Sequence, residues 1–510
     1  MHEKPPLPDN GNSPTAAVIY ERLEEKNWAP WLRFGVKTIA AQQKIFPDGQ
    51  IVIEDEGSPV AMLSANRINW DGSADSLTTW DDIAGEDEDY HATYIADGNT
   101  FALMSMAIDD DVKGKRLPQQ IIDKIIAYSN SEGIEHIIGD FRPSGFGKYK
   151  KETRKVDFTE YVDDTREDGL PVDPWLRSVT RNGMQRQRID REAMVVPATV
   201  EEVDQWRQEY NSDDWWQVED QESIDYLLEW HDVLSKIEQV DEVWECGETG
   251  TWYIDRKNGK AVYVESNVWG EIPTLKQSFI DAVDERSDEK GMYVVWLDPK
   301  TPFSDVIRAE EARIFPEVAE FIDDGVEQQS KFMAIVDTSR DRVIHGARLS
   351  GPGLNGYPVA EGRTGITTID ELIESKQLSL EEFQEYYKQQ GVELYKCRGI
   401  ETNFRIGERV EPGTGLRVSD YGYIAIFKKL LESVSKSGKS YYFAFFNDKT
   451  IRSLDVLGLE YEAIAGRSDI MVPGANGFDV NYTAVAIPLT DKSKSIFEPL
   501  IELSLQEISL

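Results

Sequence analysis

The chain has 510 residues, of which 40% are hydrophobic and 10% aromatic, enough apolar surface for more than one folded domain. Its formal net charge of −39 argues against nucleic-acid binding, because a phosphate backbone requires a basic protein surface. The chain has no run of about eighteen apolar residues, no apolar signal core and only two cysteines, so we expect a cytoplasmic protein without membrane insertion.

The first half begins with a Pro- and Asn-rich tail and continues into two predicted helices, at 16–25 and 30–45. Segments 50–55 and 59–69 predict a β-hairpin with a glycine at its turn. Residues 100–108 are almost continuously apolar, which is typical of a central strand.

A strand–helix–strand crossover is predicted next. A basic turn follows the central strand, and apolar residues then recur at helical spacing from Leu117 until Gly133 ends the helix. A second apolar strand at 134–141 completes the unit, which predicts parallel strands with the turn at the ligand-binding edge.

Residues from about 156 to 286 are predicted to complete the first domain as an insertion or extension. They include a short strand at 193–196, helices at 200–210 and 223–237, and a hairpin around Asn258-Gly259. The charged segment 284–291 lacks large apolar residues and is the preferred linker.

The second half repeats this outline. It predicts a strand at 292–297, a helix at 306–322, a hairpin of strands 332–337 and 343–350, and a helix at 379–390.

A second strand–turn–helix–strand unit then runs from about 394 to 446, with Gly413, Gly415 and Arg417 in its turn. We therefore predict an α/β (α+β) protein of two related domains, 1–286 and 287–510. Each is expected to be a mixed twisted sheet flanked by helices.

The turn between a central strand and a helix binds anions readily, because the first N–H groups of the helix are unpaired and its dipole favours negative charge. In the first half this turn resembles the pyrophosphate loop of the GNAT (Gcn5-related N-acetyltransferase) superfamily. The departures are Arg116, where a second glycine is common, and Pro118, where a small residue is common. The resemblance implies donor binding by five consecutive residues: Lys113, Gly114, Lys115, Arg116 and Leu117. The turn residues Gly413, Gly415 and Arg417 are assigned the same role in the second half.

Another part of the second half carries the resemblance further. Asn447 follows a strand, and Leu457-Gly458-Leu459 ends the next helix, which is similar to the N-acyl amino acid synthase and acyl-homoserine lactone synthase branch of the superfamily. Asn447 is accordingly a donor-binding candidate. The resemblance implies acyl-CoA or an acyl-phosphopantetheine on a carrier protein as donor. The position often held by a tyrosine acid is Leu454 here.

An acyltransferase of this kind must deprotonate an amine, stabilise an oxyanion and release a thiolate. In the second half, Glu401 is the candidate base, and the alternative is an exposed carboxylate or one paired with Arg405. Arg348 is the candidate clamp for a substrate carboxylate, and the alternative is a surface salt bridge.

In the first half, Tyr149 and Asp140 are the candidate acids. Core packing beside Phe141 and Phe146 is the alternative for Tyr149. None of the five histidines has a partner at metal-ligand spacing, so no metal is expected.

Two clusters of basic residues stand out in this acidic chain, and each is interpreted either as an anion or carrier-protein site or as a solvated face. They comprise Lys148, Lys150, Lys151, Arg154 and Lys155, and Arg177, Arg181, Arg186, Arg188 and Arg191.

The sequence therefore predicts an acyltransferase that moves an acyl group to the amine of an amino acid or a related small molecule. The alternatives are a non-catalytic tandem that binds acyl thioesters, and a thioester decarboxylase or hydrolase on the same fold.

Overall fold

The computed structural model describes most of the chain. The described residues are 16–55, 58–109, 112, 116–314, 327–356, 358–405, 421–422, 424–426, 428–429, 439–446, 448–472, 482–502 and 504–510. The chain divides into two compact units, Met1–Thr274 and Leu275–Leu510. This division lies before the predicted boundary at 286, because the helix Leu275–Asp284 buries Phe279 and Ile280 in the core of the second unit.

The first unit contains these strands: β1 (Gln50–Asp55), β2 (Ser58–Ile68), β3 (Thr100–Ile108), β4 (His136–Phe141), β5 (Gln185–Thr199), β6 (Trp216–Gln217), β7 (Glu242–Glu245), β8 (Thr251–Asp255) and β9 (Lys260–Ile272). Its helices are α1 (Ala16–Asn27), α2 (Val36–Ile45), α3 (Trp80–Ala84), α4 (Leu117–Ser131), α5 (Phe146–Thr153), α6 (Phe158–Asp163), α7 (Pro174–Arg181), α8 (Val200–Glu209) and α9 (Gln221–Trp230).

The strands of the first unit form one mixed sheet in the order β1-β2-β3-β4-β9-β8-β7-β6, and β5 pairs with β9. Strand β3 is parallel to β4, whereas β2 and β9 flank this pair in antiparallel orientation. The predicted crossover β3–α4–β4 is confirmed.

Two hydrophobic layers cover the faces of this sheet. Helix α4 packs on one face with Phe101 and Ile137, and α1 and α2 pack on the other with Ala102 and Ile138. Neighbouring residues thus face opposite layers, which is the alternation expected of a strand buried on both sides.

Strand β5 is much longer than the predicted segment 193–196. It runs for 15 residues along β9, and its register shifts between Arg186 and Arg188 and again between Asp190 and Met194. Charged residues in its first half mask the alternation that identifies a strand.

The second unit contains β10 (Met292–Leu297), β11 (Ser330–Asp337), β12 (Arg342–Ser350), β13 (Arg398–Arg405), β14 (Tyr441–Phe446), β15 (Glu462–Ala463), β16 (Met471–Val472), β17 (Tyr482–Pro488) and β18 (Gln506–Ile508). Its labelled helices are α10 (Leu275–Asp284), α11 (Ser304–Ile314), α12 (Thr367–Glu374), α13 (Leu380–Gln389), α14 (Asp448–Leu457) and α15 (Asp491–Ile501).

A second mixed sheet runs in the order β15-β17-β14-β13-β12-β11-β10-β18, and β16 pairs with β17. Strand β13 is parallel to β14, and β12 and β17 flank this pair in antiparallel orientation. Two mixed sheets flanked by helices confirm the predicted fold class.

Candidate functional site

A gap opens in the first sheet where the parallel strands separate. Pairing of β3 with β4 stops at Leu103 and Gly139, although β3 continues to Ile108 and β4 to Phe141. In the ladder with β2, Ser64 faces Ser105 and Ala65 faces Leu103, so Met104 is an extra, bulged residue. A bulge bends its strand and strengthens the local twist, which explains why β3 leaves β4 at this point.

The cavity at this gap has a volume of about 810 Å³, within the usual range for small-molecule sites. Both separated strands line it, together with the last turn of α1, the first turns of α4 and one side of α7. Its polar lining includes Ser105, Arg116, Asp140, Arg142, Ser144 and Glu248. Its apolar lining includes Leu103, Ile121, Ile122, Ile125, Phe141 and Trp175.

The edge of β3 that faces the gap carries backbone groups that β2 does not use. The Asp109 N–H donates to the Val60 carbonyl at 2.8 Å. Because antiparallel pairs alternate, Met106 and Ile108 direct their N–H and C=O groups away from β2. The Asn27 side chain already binds Ile108, since its Nδ2 donates to the Ile108 carbonyl at 2.9 Å and its Oδ1 accepts from the Ile108 N–H at 3.4 Å. Within the described residues, Met106 is thus left with backbone groups to which an amide can bind.

The predicted donor loop lies only partly in the described chain. Lys113, Gly114 and Lys115 fall outside the described residues. Arg116 precedes α4 with φ 51° and ψ 41° and lines the cavity, and Leu117, the first residue of α4, is buried. Arg116 stands where a glycine is common in the pyrophosphate loop that the sequence resembles, and its left-handed backbone is a conformation that glycine adopts readily.

Asp140 ends β4 inside the cavity and is 8% exposed. Neither of its carboxylate oxygens accepts a hydrogen bond of ordinary geometry from the described residues. Burial and the nearby Asp190 and Glu265 carboxylates raise the pKa of Asp140 well above its usual value, although Arg188 opposes this. This carboxyl group is therefore poised to hold and release a proton in the gap.

A charged network continues from the cavity wall. The Arg142 Nη2 lies 2.7 Å from Glu248, and its Nε lies 2.9 Å from the buried Glu265. The guanidinium also stands 5.1 Å from the ring centre of Trp28, and the Tyr210 hydroxyl donates to Glu248 at 2.9 Å. Two carboxylates and an aromatic ring thus fix the position of Arg142.

A second buried carboxylate approaches the gap from α1. Glu24 is 1% exposed, and its Oε1 accepts a hydrogen bond from the Ser105 hydroxyl at 3.0 Å. Burial raises the pKa of Glu24 to about 7, and hydrogen bonds from the Phe34 N–H and the Ser105 hydroxyl oppose the rise. Sequence reasoning missed this pair. The one available signal was a glutamate placed between the buried Leu23 and the helix end, and nothing in the sequence pointed to a serine 81 residues away.

Tyr149 lies on α5 rather than on the cavity wall. Its ring centre is 4.9 Å from that of Tyr161 and 6.2 Å from that of Phe146. The residues that line the described cavity do not include it. Its role as an acid stays a prediction.

Most residues of the two basic clusters contact other side chains of the first unit. Lys150 is 1% exposed and pairs with the buried Glu245, so a solvated face is the wrong interpretation for this residue. Lys151 pairs with Asp214, and Arg154 stands over the Trp216 ring at 4.3 Å. Arg186 pairs with Asp163 at 2.5 Å. Most of these basic side chains are thus engaged in contacts within the first unit.

In the second unit the donor candidates Gly413, Gly415, Arg417 and Asn447 lie outside the described residues. Glu401 lies opposite Arg348 in the β12–β13 register. Arg348 is 1% exposed, and its Nη2 donates to the Glu311 carboxylate at 2.6 Å, so the ion pair is buried rather than superficial. The proposed roles of Glu401 and Arg348 stay predictions.

Leu454 is 5% exposed in the core of the second unit. No helix in the described part of the chain is both long and apolar enough to cross a membrane. Within the same residues, no group of three or more histidine, cysteine or acidic side chains is arranged to hold a metal ion.

No protein-family model matches this chain, and no curated protein resembles it significantly. Solved structures resemble part of it. The loading GNATL domain of CurA from Lyngbya majuscula is 20% identical, covers 34% of this chain and 81% of that domain, and has a TM-score of 0.29. The GphF GNAT-like decarboxylase in complex with isobutyryl-CoA is 19% identical, covers 36% of this chain and 88% of that one, and has a TM-score of 0.30.

BjaI, a CoA-dependent acyl-homoserine lactone synthase solved with S-adenosylmethionine and isopentyl-CoA, is 12% identical, covers 43% of this chain and 93% of that one, and has a TM-score of 0.27. The first two structures are named as GNAT-like, which is the superfamily that the sequence resembles. At these identities and TM-scores, the neighbours carry no argument about the activity of this chain.

Proposed function

We propose that the first unit binds an acyl thioester in the gap between β3 and β4 and transfers the acyl group to a small amine. The observation that supports this most is the buried Asp140 carboxyl in a cavity of about 810 Å³, without a hydrogen-bond partner of ordinary geometry among the described residues. A buried carboxyl group is costly unless something binds it, so its place in a cavity favours a functional role.

The donor is proposed to be acyl-CoA or an acyl-phosphopantetheine. Arg116 and the first N–H groups of α4 supply positive potential for a diphosphate at one end of the gap. The free edge at Met106 offers an N–H and a C=O to an amide of the pantetheine arm, as a neighbouring strand would. The apolar side chains beneath α4 suit the acyl group.

Asp140 is proposed to act as the acid. In its protonated form it gives a proton to the sulfur as the carbon–sulfur bond breaks, and the carboxylate then takes the proton that the attacking amine loses. The amine must arrive uncharged, so its own ammonium proton is released to solvent beforehand. Asp140 ends the cycle as it began, and the products are an amide and a free thiol.

Thiol release by the full chain tests the proposal. Acetyl-CoA, a long-chain acyl-CoA and an acyl-pantetheine are offered as donors, each with and without mixed amino acids. We expect release that depends on the amine. The Ser178→Trp variant, which places a large ring in the cavity from α7, is expected to abolish it. Ser131→Trp, on the exposed last turn of α4, is the matched control.

Two results would contradict the proposal. Thiol release that proceeds equally without any amine indicates hydrolysis instead of transfer. Release that Ser178→Trp leaves unchanged places the chemistry outside the gap.

A further inference from the structure

We propose that Ser105 is an acyl-accepting nucleophile with Glu24 as its base, so that transfer proceeds through an acyl-serine intermediate. This inference rests on the proposed function, because it needs a thioester in the gap. It changes the route of the acyl group from one direct transfer to two successive transfers.

The bulge in β3 places this serine. Leu103 and Met106 pack toward the α4 layer, whereas Met104 packs toward the layer of α1 and α2. Strict alternation after Met104 would turn Ser105 to the α4 side, but the extra residue keeps Ser105 on the side of Glu24. The same bend that opens the gap thus puts a hydroxyl group on its wall.

Hydrogen bonds fix the position of the proposed base, Glu24, beside Ser105. The Ser105 hydroxyl donates to Oε1 of Glu24 at 3.0 Å, and the Phe34 N–H donates to Oε2 at 2.7 Å. A nucleophile, a base within hydrogen-bond reach and a third group that orients the base form the arrangement that activates a hydroxyl group. Burial keeps the pKa of Glu24 at about 7, so that a substantial fraction is ionised at neutral pH. In the described part of the chain, the titratable groups that interact with Glu24 are Tyr20, Tyr90 and Glu88.

A neighbouring serine shows what a purely structural hydroxyl group looks like here. Ser64 lies directly opposite Ser105 in the ladder and is fully buried. Its hydroxyl group contacts the neutral side chains of Gln42 at 3.0 Å and Tyr90 at 2.7 Å, and it does not line the cavity. A neutral partner satisfies a buried hydroxyl group, whereas burying a carboxylate costs several kcal/mol. The carboxylate beside Ser105 is therefore better explained by proton transfer.

The steps balance. The Ser105 oxygen attacks the thioester carbon and its proton passes to Glu24, the carbon–sulfur bond breaks, and the thiolate takes the Asp140 proton. The amine then attacks the serine ester, the carbon–oxygen bond breaks, and the serine oxygen recovers its proton from Glu24. The proton lost by the amine returns to Asp140. No oxidant, reductant or metal takes part.

Mass spectrometry of the intact chain after brief exposure to acyl-CoA without an amine tests the inference. We expect one acyl group per chain, on the peptide that contains Ser105, and none in Ser105→Ala. Ser64→Ala, the same change on the opposing strand, is expected to keep the adduct. Ser105→Cys is expected to form a thioester adduct that neutral hydroxylamine removes. Because this variant keeps a nucleophile at the same position, its adduct would show that loss of the adduct in Ser105→Ala is not caused by misfolding. Because Cys246 and Cys397 remain in Ser105→Ala, that variant also reports any labelling of cysteine.

Glu24→Gln keeps a hydrogen-bond acceptor but cannot take the proton. We expect it to slow adduct formation by about 100-fold or more. For the wild-type chain we expect the acylation rate to rise between pH 6 and 8 as Glu24 ionises, and we expect Glu24→Gln to remove this rise.

The outcomes separate this inference from the proposed function. If Ser105→Ala keeps amine-dependent thiol release and no adduct forms in the wild-type chain, the acyl-serine route is wrong and direct transfer stands. If the wild-type chain releases no thiol from any donor, both fail.

Discussion

In both units a parallel strand pair separates after a few residues, and in both the first strand of the pair carries one extra residue. That residue is Met104 in β3 and Asn403 in β13, where Gly346 faces Phe404 and Ala347 faces Thr402. The charges beside the two bulges differ. The first unit has Asp140 in an open cavity and, among the described residues, without an opposite charge bonded to it, whereas the second has Arg348 bonded to Glu311 and 1% exposed.

This difference shows that an opened sheet alone does not define an activity. The backbone device is the same in the described parts of both units, but a buried charge that is satisfied internally stabilises or orients its neighbours, and one that is not satisfied is available for a ligand. We therefore place the proposed chemistry in the first unit.

The largest effect should follow from Asp140→Asn. The amide cannot give a proton to the leaving sulfur, so we expect thiol release to fall by about 100- to 10,000-fold. The matched control is Asp81→Asn, because burial also raises the pKa of Asp81 to about 7 and this side chain does not line the cavity. Equal losses in the two variants would show that the effect comes from burial and not from the site.

Breaking a buried ion pair should destabilise each unit. Arg142→Met and Arg348→Met each remove the cation from a buried pair, and we expect the free energy of unfolding to fall by about 3–5 kcal/mol. Replacing both partners, as in Arg348→Met with Glu311→Leu, should restore much of the loss. Urea denaturation followed by fluorescence measures this, with Lys492→Met at an exposed pair as the control. A double variant no more stable than Arg348→Met would argue against the buried-pair explanation.

The pH dependence of stability should report on Glu24. Its folded pKa of about 7 lies above the unfolded value of 4.5, so the folded state binds more protons between these values and loses stability as pH rises through them. Glu24→Gln removes this pH-dependent loss of stability, because glutamine does not ionise. The variant should gain stability relative to the wild-type chain by about 3 kcal/mol between pH 4 and pH 8.

The control for this prediction is Glu229→Gln on the exposed face of α9. It makes the same exchange of glutamate for glutamine at the protein surface. If the difference in stability between Glu24→Gln and the wild-type chain did not change with pH, the folded pKa of Glu24 would not be raised.

The smallest effect on stability is expected at two similar helix ends, one in each unit. Gly133 after α4 and Gly458 after α14 have φ of 66° and 69°, and a Cβ at either would meet nothing within 4 Å. Alanine at either position should therefore lower the free energy of unfolding by about 1 kcal/mol, through backbone strain alone. Gly291→Ala, at an ordinary φ, is the control. Unequal losses at the two glycines would show that the ends are not equivalent.

Local patterns allowed much of the fold to be predicted. Strand 100–108 was predicted with its observed bounds because an almost continuous apolar run ends at acidic residues, and the hairpin at Asn258-Gly259 followed from its turn. The site was predicted only in part. Asp140 was found because it ends an apolar strand, whereas the pairs Glu24–Ser105 and Arg142–Glu265 join residues far apart in sequence and leave no periodic signal. Lys150 was misinterpreted for the same reason, since its partner Glu245 lies 95 residues away.

The bulge at Met104 also determines how this strand should respond to a change in length. In a regular strand, losing one residue turns every following side chain to the opposite face. Here a deletion of Met104 would leave Leu103, Ser105 and Met106 alternating on their present faces, so the residues after the deletion would stay in their layers and the layer of α1 and α2 would lose one side chain, that of Met104. The shortened strand would also lose its bend, and we expect it to pair with β4 over a longer stretch. Deleting the Met104 codon should therefore yield a folded protein in which the gap between β3 and β4 is closed.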